Sequence, residues 1–174
     1  MARLPTARLI ELRDEMSRRG QRRSLVFPTA KPDVVEVVAI VEEYGALTEA
    51  MFLVMAAQKR MLNAQRKLLR GALDILSSGR VRTAHMEAML DASAKRLAED
   101  GFERRCQRVI EALREDQVRA ETTLVLATAI AAADGDVGPE EQALIDRFAR
   151  ELGVDPKRLS SVLDELTSAP DSAP

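Results

Sequence analysis

Four carboxylates, Asp134, Asp136, Glu140 and Glu141, crowd around the glycine turn of Ile130-Ala131-Ala132-Ala133-Asp134-Gly135-Asp136-Val137-Gly138-Pro139-Glu140-Glu141. Oxygen donors at this density suit a hard divalent cation, calcium or magnesium, at modest affinity. The same residues also suit helix capping. Gly135 can end the preceding helix at positive φ, Val137 can plug the core, and Pro139 can open the next helix behind a Gly138 cap. Glu141, at the third helical position, can then reach back to the cap amide, and both glutamates complement the helix dipole. Capping accounts for three of the four carboxylates. The density of like charge that it leaves over is the argument for a cation.

The core Asp-Gly-x-Val-x-x-x-Glu resembles the back half of an EF-hand loop, with Asp134, Gly135, Val137 and Glu141 at positions five, six, eight and twelve. Positions one and three would be Ile130 and Ala132, which carry no side-chain oxygen. A full seven-ligand calcium loop is therefore excluded, and the turn is expected to offer two or three ligands completed by water. Other reactive residues lead less far. His85 has no nucleophilic partner in a supporting motif, and phosphate-binding glycine loops and nucleophile elbows are absent, so no enzyme class is defined. Cys106 has Arg104, Arg105 and Arg108 close in sequence. It reads as an oxidisable thiol if it faces them and as a small buried hydrophobe if it does not.

The elements that must position the turn follow from composition and periodicity. The 174 residues are 46% hydrophobic and only 3% aromatic, rich in Ala, Leu, Glu and Arg, which favours helices. One cysteine rules out an intrachain disulfide framework and a thiolate-rich metal site, and a reducing, cytoplasmic setting is the simpler inference. No apolar run approaches the length of a membrane span. Net charge is −2, with arginines dominating up to Arg82 and carboxylates from Asp134 onward. The basic arm at Arg18, Arg19, Arg22 and Arg23 allows an alternative reading as a nucleic-acid-binding accessory protein. Without stacking aromatics among these arginines, an acidic protein surface is the better-matched partner.

Periodicity predicts a short helix over Thr6 to Arg19, a break at Phe27 to Pro32, and a helix from Asp33 that ends at Gly45. A long apolar and basic run follows from Thr48 to Gly79. Helices are then expected over Thr83 to Ala98, from Phe102 to a break at Asp116, and through Leu124 and Ile130. Two more should cover Glu140 to Leu152 and Pro156 to Leu166. The methionines Met51, Met55, Met61, Met86 and Met89 read as core filling or a partner groove. The run from Met51 to Leu76 carries more apolar stripe than one fold is expected to bury, which suggests homo-oligomeric contact.

Laying Gly79 over Gly135, an offset of 56 residues, aligns two units of helix, glycine turn, valine and helix. Ser78 and Arg80 then stand where Asp134 and Asp136 stand, and His85 where Glu141 stands. If the second turn holds a cation, the first has lost the matching ligands.

Ala131 to Glu141 together with Phe148-Ala149-Arg150-Glu151-Leu152-Gly153-Val154 resembles the TerB-like tellurite-resistance family, most strongly over Leu124 to Leu163. The resemblance implies an all-α fold of two related helical units and a non-enzymatic adaptor or sensor in a stress-related, membrane-associated complex. It further implies protein partners and an acidic surface that takes divalent cations at Asp134, Asp136 and Glu141. The expected organisation is a basic arm over 1–32, an accessory helix over 33–47, the TerB-like domain over 48–167 and a frayed tail over 168–174. The expected location is the cytoplasm, peripheral to the inner face of the membrane.

Overall fold

The computed structural model describes residues 10, 11, 13, 14 and 18, then 32–58, 63–134, 137–157 and 159–161, without the side chains of 32–34 and Asp134. The expectations for Phe27 to Pro32, Gly135, Asp136 and the tail, and most of that for Thr6 to Arg19, lie outside the described residues or at their margin. The fold is all-α, and no strand occurs among the described residues. The helices described from end to end are α1 (Pro32–Ala57), α2 (Asn63–Ser77), α3 (Thr83–Asp100), α4 (Phe102–Leu113), α5 (Gln117–Ala131) and α6 (Pro139–Leu152), with a 3-10 turn at Ala132–Asp134.

The second half of α1 and most of α5 are apolar on every side, and such stretches have to be interior. In α1, Leu47 and the unbroken run Ala50 to Met55 are all buried, and in α5 so is every residue from Thr122 to Ala131. α1 packs on α5, and the more amphipathic α2, α3, α4 and α6 sheathe them. In α2, for example, Leu69, Leu73 and Leu76 face inward while Lys67 and Arg70 stay exposed. The threonines that α5 buries return their hydroxyls to the preceding turn: Thr122 Oγ1 donates to Val118 O at 2.7 Å and Thr128 Oγ1 to Leu124 O at 2.8 Å. Polar groups are thereby satisfied without leaving the helix.

Two boundaries differ from the sequence expectation. The helix expected to close at Gly45 runs straight through it to Ala57. A helical glycine costs only about 1 kcal/mol relative to alanine, and the burial of Tyr44, Leu47 and Met51 on either side outweighs that. The run expected to be continuous from Thr48 to Gly79 instead divides between Ala57 and Asn63. Of the run from Met51 to Leu76, Met51, Phe52, Met55, Leu69, Leu73 and Leu76 lie in the core, while Met61 and Leu62 lie outside the described residues.

The 56-residue offset extends further than the turn. α1 and α4 end at equivalent positions, Ala57 and Leu113, and α3 and α6 begin at equivalent positions, Thr83 and Pro139. Each unit is thus three helices, the last two joined by the glycine turn.

Candidate functional site

The acidic turn joins α5 to α6, and the local chemistry of α6 explains its exit. Pro139 occupies the first position of α6, Gly138 caps it at φ −67° and ψ 151°, and Gly153 closes it in the left-handed region at φ 69°. As expected, Glu141 Oε2 accepts the Gly138 backbone N–H at 3.1 Å. Val137 is partly buried against the core.

The two adjacent glutamates of the predicted site part company. Glu140 is exposed, whereas Glu141 is fully buried. Inside the protein, Glu141 Oε2 also accepts from Gln58 Nε2 at 2.5 Å, and its Oε1 accepts from Gln65 Nε2 at 3.1 Å. Gln58 follows the end of α1, and Gln65 lies in the first turn of α2. One carboxylate therefore ties the start of α6 to the α1–α2 corner. Gly138 makes this possible, because a Cβ there would lie 2.0 Å from Gln58 Nε2. Asp134 closes the 3-10 turn with its side chain outside the description, and Asp136 lies outside the described residues. Among the described residues no group of three or more His, Cys, Asp or Glu side chains gathers as a metal site.

The equivalent turn of the first unit is closed by an internal cation. Ser78 (φ 53°) and Gly79 (φ 79°) reverse the chain after α2, with Gly79 N–H donating to Asp74 O at 2.8 Å. Arg80 then folds back over the end of α2, its Nε donating to Ser77 O at 3.2 Å and its Nη2 to Glu43 Oε2 at 2.9 Å. The same Nη2 lies 3.2 Å from the Tyr44 hydroxyl, and the guanidinium sits 5.9 Å from the Tyr44 ring centre. Burial, followed by the Glu43 carboxylate, holds the Tyr44 phenol well above its ordinary pKa. His85 mirrors Glu141 in one respect. Its Nδ1 accepts the Arg82 backbone N–H at 3.3 Å, the equivalent third-position contact on the equivalent cap.

A second polar cluster escaped the sequence reading. Glu49, the one carboxylate in the otherwise apolar or neutral stretch Ala46 to Ala57, is buried and accepts from Arg105 Nε at 2.7 Å and Arg96 Nη2 at 2.8 Å. Arg105 continues to Asp100 at 2.9 Å. A lone charge in an apolar run was the signal that a partner had to exist. Gln58 and Gln65 gave no such signal, since a glutamine beside basic residues reads as a solvated face.

Cys106 resolves to the buried alternative. It is fully buried, and burial pushes its thiol up to about 11. No described helix is long and apolar enough to cross a membrane.

The family model described as tellurite resistance protein TerB matches residues 45–163. No curated protein and no solved structure matches the chain.

Proposed function

The chain belongs to the TerB family of tellurite resistance proteins, a non-catalytic helical family, and from that premise we propose that it is an adaptor or sensor whose second turn takes a divalent cation. The donors are oxygens, which selects a hard cation, calcium or magnesium. Asp134, Asp136 and the exposed Glu140 are the residues that would hold it, with the buried Glu141 next in the chain. The bound cation would supply charge neutralisation and a fixed loop geometry, through which an acidic surface becomes a docking surface for a protein partner.

The observation that carries this reading is the contrast between the two equivalent turns. In the first, the Arg80 guanidinium neutralises Glu43 and donates to the carbonyl of Ser77 at the end of α2. In the second, the residue equivalent to Arg80 is Asp136, a carboxylate, and a cation from solution would supply there the charge that the arginine supplies in the first. A cytoplasmic location beside the inner face of the membrane, with a protein partner there, completes the proposal.

Thermal melting with and without millimolar calcium or magnesium tests it, because a ligand bound by the folded state alone raises Tm by mass action. The wild type should shift upward, and Asp134→Asn with Asp136→Asn should erase the shift while helix content stays unchanged. An unshifted, demetallated wild type that also gives no binding heat in calorimetry would remove the cation from the proposal.

A further inference from the structure

We propose that Gln58, Gln65 and Glu141 form a clamp that positions the acidic turn on the α1–α2 corner, so that Glu141 acts as a positioning residue and the cation affinity of the turn depends on two glutamines. The inference rests on the cation reading above only for its second half. Three observations carry it. Both Glu141 oxygens already accept N–H groups from within the protein, at 2.5 and 3.1 Å from the glutamines and at 3.1 Å from the Gly138 amide. Glu141 and Gln65 are each 0% exposed, so neither side chain meets solvent directly. The two glutamines also reach the carboxylate from far along the chain, 83 and 76 residues away.

Gly138 shows how closely the parts are fitted. Its backbone, at φ −67° and ψ 151°, is open to any residue, although alanine is a poorer helix cap than glycine. What excludes a side chain is Gln58, with Nε2 at 2.0 Å and Cδ at 2.9 Å from where a Cβ would stand. A methyl group there displaces Gln58 from Glu141. Gly138→Ala and Gln58→Ala therefore remove the same contact from opposite sides.

Groups that orient ligands without touching the metal commonly change metal affinity by about tenfold or more when removed. Gln58 and Gln65 hold Glu141, and Glu141 holds the Gly138 amide two residues along the chain from Asp136, so the glutamines bear on the loop through that link.

The test has a cation-free arm and a cation arm, both on the full chain. In chelator, Gly138→Ala and Gln58→Ala should each lower Tm by about 2–4 °C, the shift that one lost hydrogen bond gives in a chain of this size. The double variant should fall no further than the worse single one. Losses that simply add would overturn the clamp. In calcium or magnesium titrations, Gln58→Ala and Gln65→Ala should weaken binding by about tenfold, and Glu141→Gln should weaken it while leaving a shift. Glutamine variants that bind normally, beside a Glu141→Gln variant as inert as the Asp134→Asn, Asp136→Asn pair, would make Glu141 a ligand and overturn the proposal. If the wild type shows no shift in either cation, the cation reading fails by itself, and the double-variant result alone upholds or overturns the clamp.

Discussion

Glu49 and Arg105 occupy the same position in the two helical units, 56 residues apart, and their side chains meet at 2.7 Å. Equivalent residues of a repeated unit touch only where the two copies face each other, so this pair marks a place where the first helix of each unit meets its counterpart. α1 and α4 are in contact there, and Arg96 from α3 closes the other side of the carboxylate at 2.8 Å. The pair is a seam between the units, made from opposite charges at matched positions.

That seam should be costly to break and cheap to replace. Glu49→Ala leaves Arg105 nearly buried without its main partner and should destabilise the protein by about 3 kcal/mol in urea denaturation. Glu49→Leu combined with Arg105→Met should recover most of that loss, because apolar residues of similar volume need no desolvation. A double variant as unstable as the single one would show that the seam depends on charge.

The first turn should tolerate a change at Ser78 that the second unit's geometry does not predict. Ser78 holds φ 53°, a left-handed conformation that costs a residue with a side chain roughly 1 kcal/mol. Ser78→Gly should raise stability by about 0.5 kcal/mol in thermal melts, after allowance for the greater freedom of glycine in the unfolded chain. Ser78→Ala should leave any calcium or magnesium response of the second turn unchanged.

Arg80 should matter to stability through packing and hydrogen bonds at the end of α2. Its guanidinium serves Ser77 O, Glu43 and Tyr44 together, yet the side chain is about half exposed, which limits the ion-pair share. Arg80→Ala should cost about 1 kcal/mol in chemical denaturation. High salt should lower the wild type toward the variant.

Alkali should unfold the protein through Tyr44 and Cys106. Both acids are raised in the folded state by burial, Cys106 to about 11, whereas in the unfolded chain they ionise at ordinary values. Above those unfolded values the unfolded state binds fewer protons than the folded one, so stability falls as pH rises. The loss should begin near pH 9 and deepen through pH 11, and Cys106→Ala should remove its first part. At neutral pH the same burial predicts slow reaction of Cys106 with a thiol reagent, speeding up only in denaturant.

Glu103 works in the opposite direction. Hydrogen bonds from Arg147 at 2.6 and 2.7 Å hold its carboxyl below the usual range, although the group is exposed. Its contribution is present above the ordinary glutamate value and is lost as pH falls through the lowered one. Arg147→Ala should therefore flatten the acid limb of a pH–stability curve slightly, in proportion to an exposed pair.

Much of this protein was legible in the sequence because its determinants are local. Helical periodicity, Gly153 at a left-handed end, Pro139 at a first turn and Glu141 three residues beyond the Gly138 cap all act within a few residues of themselves. The repeat was legible for the same reason, since matched turns need matched glycines and valines. The family likeness of the acidic turn and its surroundings was readable too. What needed the tertiary structure were contacts between distant positions. No local rule carries α1 through Gly45, which depends on the burial of Tyr44 and Leu47, or divides the run from Met51 to Leu76 between two helices that both turn leucines to the core. Nor does any local rule separate Glu140 from Glu141, two neighbours of the same chemistry. Helical geometry turns them to different faces, and only the folding of α1 and α2 against α6 brings Gln58 and Gln65 to the buried one. A carboxylate leaves water where donors from elsewhere in the chain meet it, and that is decided by the packing of helices.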